Sequence, residues 1–196
     1  MVAAEPLLAG VAEFLAQPEE RRVEVVGGQL VEKAAPGMEH GSIQLALGAS
    51  LLPRFQRGSG DPSGGLPGGW WIAAEVDVCF DEHEVYRPDV AGWRRERMPE
   101  LSKERPVRLR PDWVCEILSP SNASTDLVDK FRVYERVGVP HYWIVDPERG
   151  VLTVYRLERE RYAVALNAKV GETVRAEPFD AIELSLSVLF GLEDPA

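Results

Sequence analysis

Two carboxylates and one lysine stand out in this sequence as groups that could carry chemistry. Glu116 interrupts the apolar run Trp113 to Leu118, and a buried strand does not carry a charge without a partner, a metal or a reaction that needs it. Asp89 directly follows Pro88 at the start of another strand-like run, and Lys130 lies on the helix predicted after Glu116. Carboxylates suit Mg²⁺, and an ammonium can orient a water molecule or offset developing negative charge. This order of residues indicates metal-dependent phosphodiester hydrolysis.

The hydrophobic pattern predicts the elements that must position these groups. Strand, helix and strand follow one another from Trp113 to Asp146, which is typical of a crossover between parallel strands, and functional groups collect where such strands end. Ser124 is the predicted N-cap of the intervening helix, and Gly138 its C′ residue. The predicted helices cover residues 6–16, 39–55, 125–137 and 185–190, and the predicted strands 22–26, 29–33, 70–80, 88–93, 113–118, 141–146, 151–157 and 162–166. This order describes an α/β sandwich with a mixed central sheet.

Two acidic residues in the predicted strand 70–80 are predicted to face solvent. Glu75 and Asp77 alternate with apolar residues, and alternation is typical of a strand with one exposed face. The lesser alternative is that Glu75 points into the site.

Length and composition bound the type of protein. The 196 residues fit one domain covering 1–196, and the Gly- and Pro-rich stretch Gly58 to Gly69 fits a surface loop better than a domain boundary. No apolar run approaches the ~20 residues of a membrane span. The first residues carry Glu5 and Glu13 and lack a basic lead, unlike a signal peptide. We therefore expect a cytoplasmic protein without a membrane partner.

The charge distribution gives mixed evidence about nucleic acid. A formal net charge of −10 disfavours non-specific binding to a polyanion. The segment Arg94 to Arg110 is rich in arginine and lysine, and it fits either a phosphate-facing patch or a solvated surface.

Several segments of the chain together resemble the Uma2 family of restriction-endonuclease-like proteins. The segments are Arg22–Val31, Glu39–Ser42, Arg87–Ala91, Val114–Asn122 and Tyr142–Asp146. The resemblance extends from about Glu19 to Phe190, and Glu-Ile-Leu-Ser-Pro-Ser with Lys130 and Tyr134 downstream is its most specific part. It implies the PD-(D/E)XK nuclease superfamily, with a restriction-endonuclease-like core: a mixed central β-sheet flanked by helices. Hairpins are expected near both termini.

The resemblance also implies roles for individual residues. Asp89 and Glu116 would be the metal ligands for Mg²⁺ or Mn²⁺ and, with Lys130, the catalytic residues. The lysine of the family's Glu-x-Lys element is missing, because Leu118 stands in its place, and Lys130 would supply the ammonium instead. The implied supporting residues are Glu24, His40 and Tyr134.

Without the resemblance, these residues have simpler interpretations. Lys130 stands four residues after Asp126, a spacing that fits an exposed ion pair worth about 0.3–0.5 kcal/mol. Glu24 fits a solvated hairpin carboxylate, His40 a helix cap or surface residue, and Tyr134 a core residue.

The sequence thus predicts a metal-dependent endonuclease that hydrolyses DNA phosphodiester bonds. The alternative is a catalytically weak or inactive nuclease-fold module that binds nucleic acid or a protein partner; the acidic net charge and the missing adjacent lysine favour it. A homodimer is also expected, with the C-terminal hairpin near Trp143 as its surface.

Overall fold

The computed structural model describes residues 8–57, 67–120 and 124–192. The helices are α1 (Val11–Leu15), α2 (Met38–Phe55), the π-helix π1 (Thr125–Lys130), α3 (Phe131–Val137) and α4 (Leu186–Leu189). The strands are β1 (Val23–Val26), β2 (Gln29–Glu32), β3 (Trp70–Ala74), β4 (Val78–Asp81), β5 (Glu84–Tyr86), β6 (Val90–Arg94), β7 (Trp113–Ile117), β8 (His141–Asp146), β9 (Val151–Glu158), β10 (Arg161–Lys169), β11 (Thr173–Val174) and β12 (Leu184–Ser185).

A mixed sheet with strand order β10-β9-β8-β7-β6-β3 forms the centre of the fold. β7 and β8 are parallel, and the other neighbours in this sheet are antiparallel. Helices cover both faces, so every residue of β7 is buried. Trp113, Cys115 and Ile117 pack in the cluster that contains the apolar face of α2, whereas Val114 packs with Val133 and Tyr134 of α3. Because side chains alternate along a strand, Glu116 points to the α3 side.

A second, antiparallel sheet has the order β2-β1-β5-β4. Its β1–β2 hairpin, which joins the predicted strands 22–26 and 29–33, turns through Gly27 and Gly28, both at positive φ. The turn pairs Val23 with Glu32 and Glu24 with Val31. This sheet carries Glu24 and, just beyond β2, Lys33.

The main expectations about the fold are confirmed. The chain has a mixed α/β architecture, and the strand–helix–strand segment joins parallel neighbours, as predicted. The predicted C-terminal hairpin, β9–β10, forms one edge of the central sheet. Gly138 ends α3 in the left-handed conformation, with φ of 79°.

The predicted continuous strand 70–80 is wrong. The chain breaks after Ala74, where Glu75 has φ of 57°, and it resumes as β4 in the other sheet. Asp77 is buried rather than solvent-facing, because Arg87 and Arg105 both donate hydrogen bonds to its carboxylate.

The predicted helix 125–137 also differs in its first half. Thr125 to Lys130 form a π-helix, and regular α-helix begins only at Phe131. The Ser124 side chain makes no capping hydrogen bond and its backbone is helical, so the predicted N-cap is wrong.

Some predicted segments lie partly outside the described residues. The first helix was predicted from residue 6, but residues 1–7 lie outside the described ranges, as do residues 58–66 of the predicted loop Gly58–Gly69. Among the described helices, none has the length and apolar character needed to cross a membrane. Trp143 is fully buried, so it cannot contribute to a dimer surface.

Candidate functional site

Asp89 and Glu116 are brought together by the register of the central sheet. β6 and β7 pair Val90 with Cys115, which places Asp89 opposite Glu116, and opposite residues of an antiparallel pair share a face. The backbone N–H of Ile117 donates to Asp89 Oδ2 at 2.7 Å, and Asp89 N lies 3.4 Å from Glu116 Oε2. Both side chains are fully buried. Each carboxylate is therefore fixed by the backbone beside the other.

Lys130 is the cation on the α3 side of this pair. Its Nζ lies 3.2 Å from Glu116 Oε1, 3.1 Å from Glu24 Oε1 and 3.0 Å from Asp126 Oδ1. Tyr134, one α-helical turn further on, donates its hydroxyl to Glu116 Oε1 at 2.7 Å. The side chain of Lys130 is 1% exposed, so the ammonium is shared among three carboxylates with little solvation.

A second lysine contacts the other side of Asp89. Lys33 Nζ lies 2.7 Å from Asp89 Oδ1 and 3.8 Å from Glu75 Oε2. His40, in the first turn of α2, places Nε2 3.3 Å from the same Asp89 oxygen. Gln44, one turn later, donates to the backbone carbonyl of Asp89 at 2.6 Å and so holds α2 against the strand.

Burial and the neighbouring charges shift the pKa values of these groups. Burial raises the pKa of Glu116 to about 8; the attraction of Lys130 opposes the shift, and Asp126 and Asp89 add to it. Burial would also raise the pKa of Asp89, but His40 and Lys33 outweigh it and hold that pKa well below its usual value. Burial raises the pKa of Asp126, against the effect of Lys130.

The two lysines stay charged in this surrounding. Burial acts to lower the pKa of Lys130, but the carboxylates of Glu116, Glu24 and Asp126 raise it well above its ordinary value. The pKa of Lys33 is raised in the same way, since the attraction of Asp89 outweighs the effect of burial, which would lower it.

The cluster contains donor atoms that fit a divalent cation. His40, Glu75 and Asp89 each offer a ligand atom, and the three atoms lie within 4.8 Å of one another. Glu75 Oε1 is buried and has no hydrogen-bond partner among the described residues, which is costly unless another group binds it. Carboxylate oxygens with one imidazole are compatible with Mg²⁺ or Mn²⁺. Glu116, the other predicted ligand, is not part of this group of three.

A cavity of about 410 Å³ gives access to the cluster. Lys130, His40 and Glu24 line it, together with Lys33, Glu75 and Asp126. Asp89 and Glu116 do not line the cavity, but they directly contact residues that do. A ligand in the cavity would therefore meet the lysines and the imidazole first.

The structure joins the predicted site residues in one contact network: Glu24, His40, Asp89, Glu116, Lys130 and Tyr134. The interpretation of Glu24 and His40 as solvated surface groups is wrong, since they are 5% and 8% exposed. The predicted ion pair between Asp126 and Lys130 is present at 3.0 Å, but its predicted exposure is wrong, because both side chains are buried.

Three residues of the network were missed by the sequence prediction or assigned elsewhere: Lys33, Glu75 and Asp126. The hairpin register could have found Lys33, since Val23 opposite Glu32 puts Lys33 opposite Arg22, on the face of Glu24. Glu75 points into the site because the strand breaks there, and no glycine or proline signals that break.

The basic segment Arg94–Arg110 makes mostly internal contacts. Arg97 donates to the Asp112 carboxylate at 2.6 Å, and Arg105 to Asp77 at 2.9 Å. The Arg95 guanidinium stacks 3.5 Å from the centre of the Trp71 ring. These arginines hold neighbouring chain segments together. The sequence predicts either a phosphate-facing patch or a solvated surface, and neither describes these contacts.

Fold and site together define an α/β protein of the restriction-endonuclease-like class. A crystal structure of a putative nuclease belonging to DUF820 from Anabaena variabilis is similar over 93% of this chain and 97% of its own, with a TM-score of 0.68 and 23% sequence identity. A family model described as "Uma2: Putative restriction endonuclease" matches residues 11–188. The chain belongs to the Uma2 family. No curated protein matches it.

Proposed function

We propose that this protein is a metal-dependent endonuclease that hydrolyses DNA phosphodiester bonds. The observation that carries the proposal is the buried contact of Asp89, Glu116 and Lys130 beside donor atoms that suit a divalent cation. The family description supports the reaction class.

Asp89 and Glu116 are proposed as metal ligands, with His40 and Glu75 beside Asp89 as further donors. A bound Mg²⁺ or Mn²⁺ would polarise the phosphate and lower the pKa of a coordinated water. The backbone bonds to both carboxylates hold their oxygens in place, so little reorganisation is needed at the moment of reaction.

Lys130 is proposed as the catalytic lysine. Its ammonium lines the cavity and stays protonated, so it can orient the attacking water or offset charge that develops on the phosphate. Glu24, Asp126 and Tyr134 act as positioning residues, since the first two contact Lys130 and the third donates to Glu116.

The charge of the site supports a requirement for metal. Four buried carboxyl groups, those of Glu24, Asp89, Glu116 and Asp126, face two lysines. The carboxyl groups outnumber the lysines, so a divalent cation would offset the repulsion among them. The same cation would reduce the repulsion between an acidic protein and the DNA backbone.

The test is cleavage of supercoiled, linear and single-stranded DNA with Mg²⁺ or Mn²⁺. Asp89→Asn, Glu116→Gln and Lys130→Met should each lose at least about 100-fold in rate, because the first two remove a proposed metal ligand and the third removes the ammonium that acts on the phosphate. Glu148→Gln and Lys169→Met make the same chemical changes at exposed positions and should keep the wild-type rate.

Equal activity in the wild type and the three site variants would contradict the assignment. Calorimetric titration with Mn²⁺ distinguishes the proposed nuclease from the alternative, a module that does not catalyse. Metal binding that depends on Asp89, without cleavage of any DNA form, would favour a nuclease-fold module that does not catalyse.

A further inference from the structure

Lys33 occupies the space among the donor atoms that suit a metal. Its ammonium lies 2.7 Å from Asp89 Oδ1 and 3.8 Å from Glu75 Oε2, and His40 Nε2 lies 3.3 Å from the same Asp89 oxygen. The Lys33 side chain is 6% exposed, and it also donates to the carbonyl of Arg87. The Lys33 ammonium thus contacts Asp89 and lies near Glu75, two of the three residues that could bind a metal.

A divalent ion bound by Asp89 Oδ1 would need the place that this ammonium fills. Two cations cannot share one carboxylate oxygen at contact distance without strong mutual repulsion in a buried site. Lys130 does not raise this conflict, because its partners are Glu24, Glu116 and Asp126.

We propose that Lys33 is a further positioning residue of this site: its ammonium holds the metal position, and metal binding displaces it into the cavity. The inference rests on the proposed metal dependence. Displacement is sterically accessible, since Lys33 lines the cavity and the chain that follows it, residues 34–39, is exposed. Lys33 thereby keeps Asp89 paired until a divalent cation replaces it.

The first test is calorimetric titration with Mn²⁺. Lys33→Met should bind Mn²⁺ about 10-fold or more tightly than the wild type, because the ion no longer competes with an ammonium. Arg21→Met removes one positive charge from an exposed residue on the chain leading into β1 and should change the affinity less than about 2-fold. Equal or weaker binding by Lys33→Met would overturn the proposal.

The second test uses the wild-type protein and does not depend on the folding of a variant. Brief acylation with an N-hydroxysuccinimide ester, followed by peptide mass spectrometry, reports which lysines are accessible. Lys33 should be protected without metal and become labelled at saturating Mn²⁺, whereas Lys130 should stay protected in both conditions. Protection of Lys33 that does not change with Mn²⁺ would overturn the displacement.

The outcomes separate this inference from the proposed function. Tighter Mn²⁺ binding and metal-dependent labelling without DNA cleavage would support the role of Lys33 and contradict the nuclease. DNA cleavage by the wild type, together with an unchanged Mn²⁺ affinity in Lys33→Met, would support the nuclease and contradict the role of Lys33. Absence of Mn²⁺ binding in both proteins would contradict both.

Discussion

The acidic site and the basic segment Arg94–Arg110 are both rich in charge, but they satisfy their charges differently. In the basic segment three arginines each contact an acidic side chain or an aromatic ring: Arg97 contacts Asp112, Arg105 contacts Asp77 and Arg95 contacts Trp71. In the site one ammonium, that of Lys130, is divided among three carboxylates. The first region is balanced within the chain, and the second is not.

This difference distinguishes buried charges that stabilise the fold from buried charges that a ligand or a reaction would need. A buried charge with a dedicated partner can be explained by the folding of the chain alone. An excess of buried carboxyl groups, one of them with its pKa raised to about 8, costs folding free energy and persists where a ligand or a reaction needs it. Substitutions in the two regions should therefore have different consequences.

The largest effect on stability is expected from Lys130→Met. Removing the shared ammonium leaves three buried carboxyl groups without their cation, which should cost about 3–5 kcal/mol of unfolding free energy at pH 8. Part of the loss should be recovered at pH 5, because the remaining carboxyl groups can then bind protons. Urea denaturation at the two pH values measures this, and an equal loss at both would argue against the acidic cluster as its cause.

The wild type without divalent metal should lose stability as the pH rises from 5 to 8. The folded state holds the proton of Glu116 up to a pKa of about 8, against 4.5 as its ordinary value, so the stabilisation is complete below 4.5 and is lost as the pH passes 8. Asp126 acts in the same direction. Asp89 has the opposite effect on stability, because its pKa is lowered, but this effect appears only in more acidic solution.

Thermal denaturation should show this as a fall in Tm of roughly 5–10 °C. In Glu116→Gln the slope should be shallower, since the amide does not titrate. A wild-type Tm that is constant or rises over this range would contradict the raised pKa.

Asp112→Ala tests the balanced region. Asp112 is 5% exposed and accepts hydrogen bonds from the Arg97 side chain and from the Arg94 N–H. Its loss should cost about 2 kcal/mol in urea denaturation, because two donors lose their acceptor. Mn²⁺ affinity and the cleavage rate per folded molecule should not change; a parallel loss of metal binding would mean that the two regions are coupled.

The smallest effect is expected from Lys103→Gln combined with Arg108→Gln. Both residues are exposed in the basic segment, where phosphate contacts were one predicted interpretation. Because most of this segment makes internal contacts, DNA affinity should change less than about 2-fold in fluorescence anisotropy. A larger loss with a reduced salt dependence would restore the phosphate-facing interpretation.

The sequence predicts the three principal residues of the site from local signals in the chain. Asp89 and Glu116 were placed at neighbouring strands, and Lys130 on the following helix, because strand periodicity and the crossover pattern are local signals. The structure brings all three together. The predicted order of hairpin, helix and strands was correct apart from strand 70–80, which the structure divides between two sheets, and β5, which was not predicted.

The missed features depend on non-local or irregular geometry. The inward direction of Glu75 follows from a backbone break at a non-glycine residue, which propensities do not indicate. The burial of Asp77 follows from two arginines ten or more residues away in the chain. The hairpin register indicates the face on which Lys33 lies, but its contact with Asp89 also depends on how the two sheets pack.

The π-helix Thr125–Lys130 has a further consequence for the chain length of this segment. A π-turn contains more residues than an α-turn, so it accommodates an inserted residue without changing the helix on either side. Lys130 and Tyr134, which both contact Glu116, are separated by the ordinary α-helical spacing of four residues, and the π-helix ends at Lys130. We therefore expect that a variant with one residue deleted between Thr125 and Asp129 forms a regular helix and keeps both contacts with Glu116.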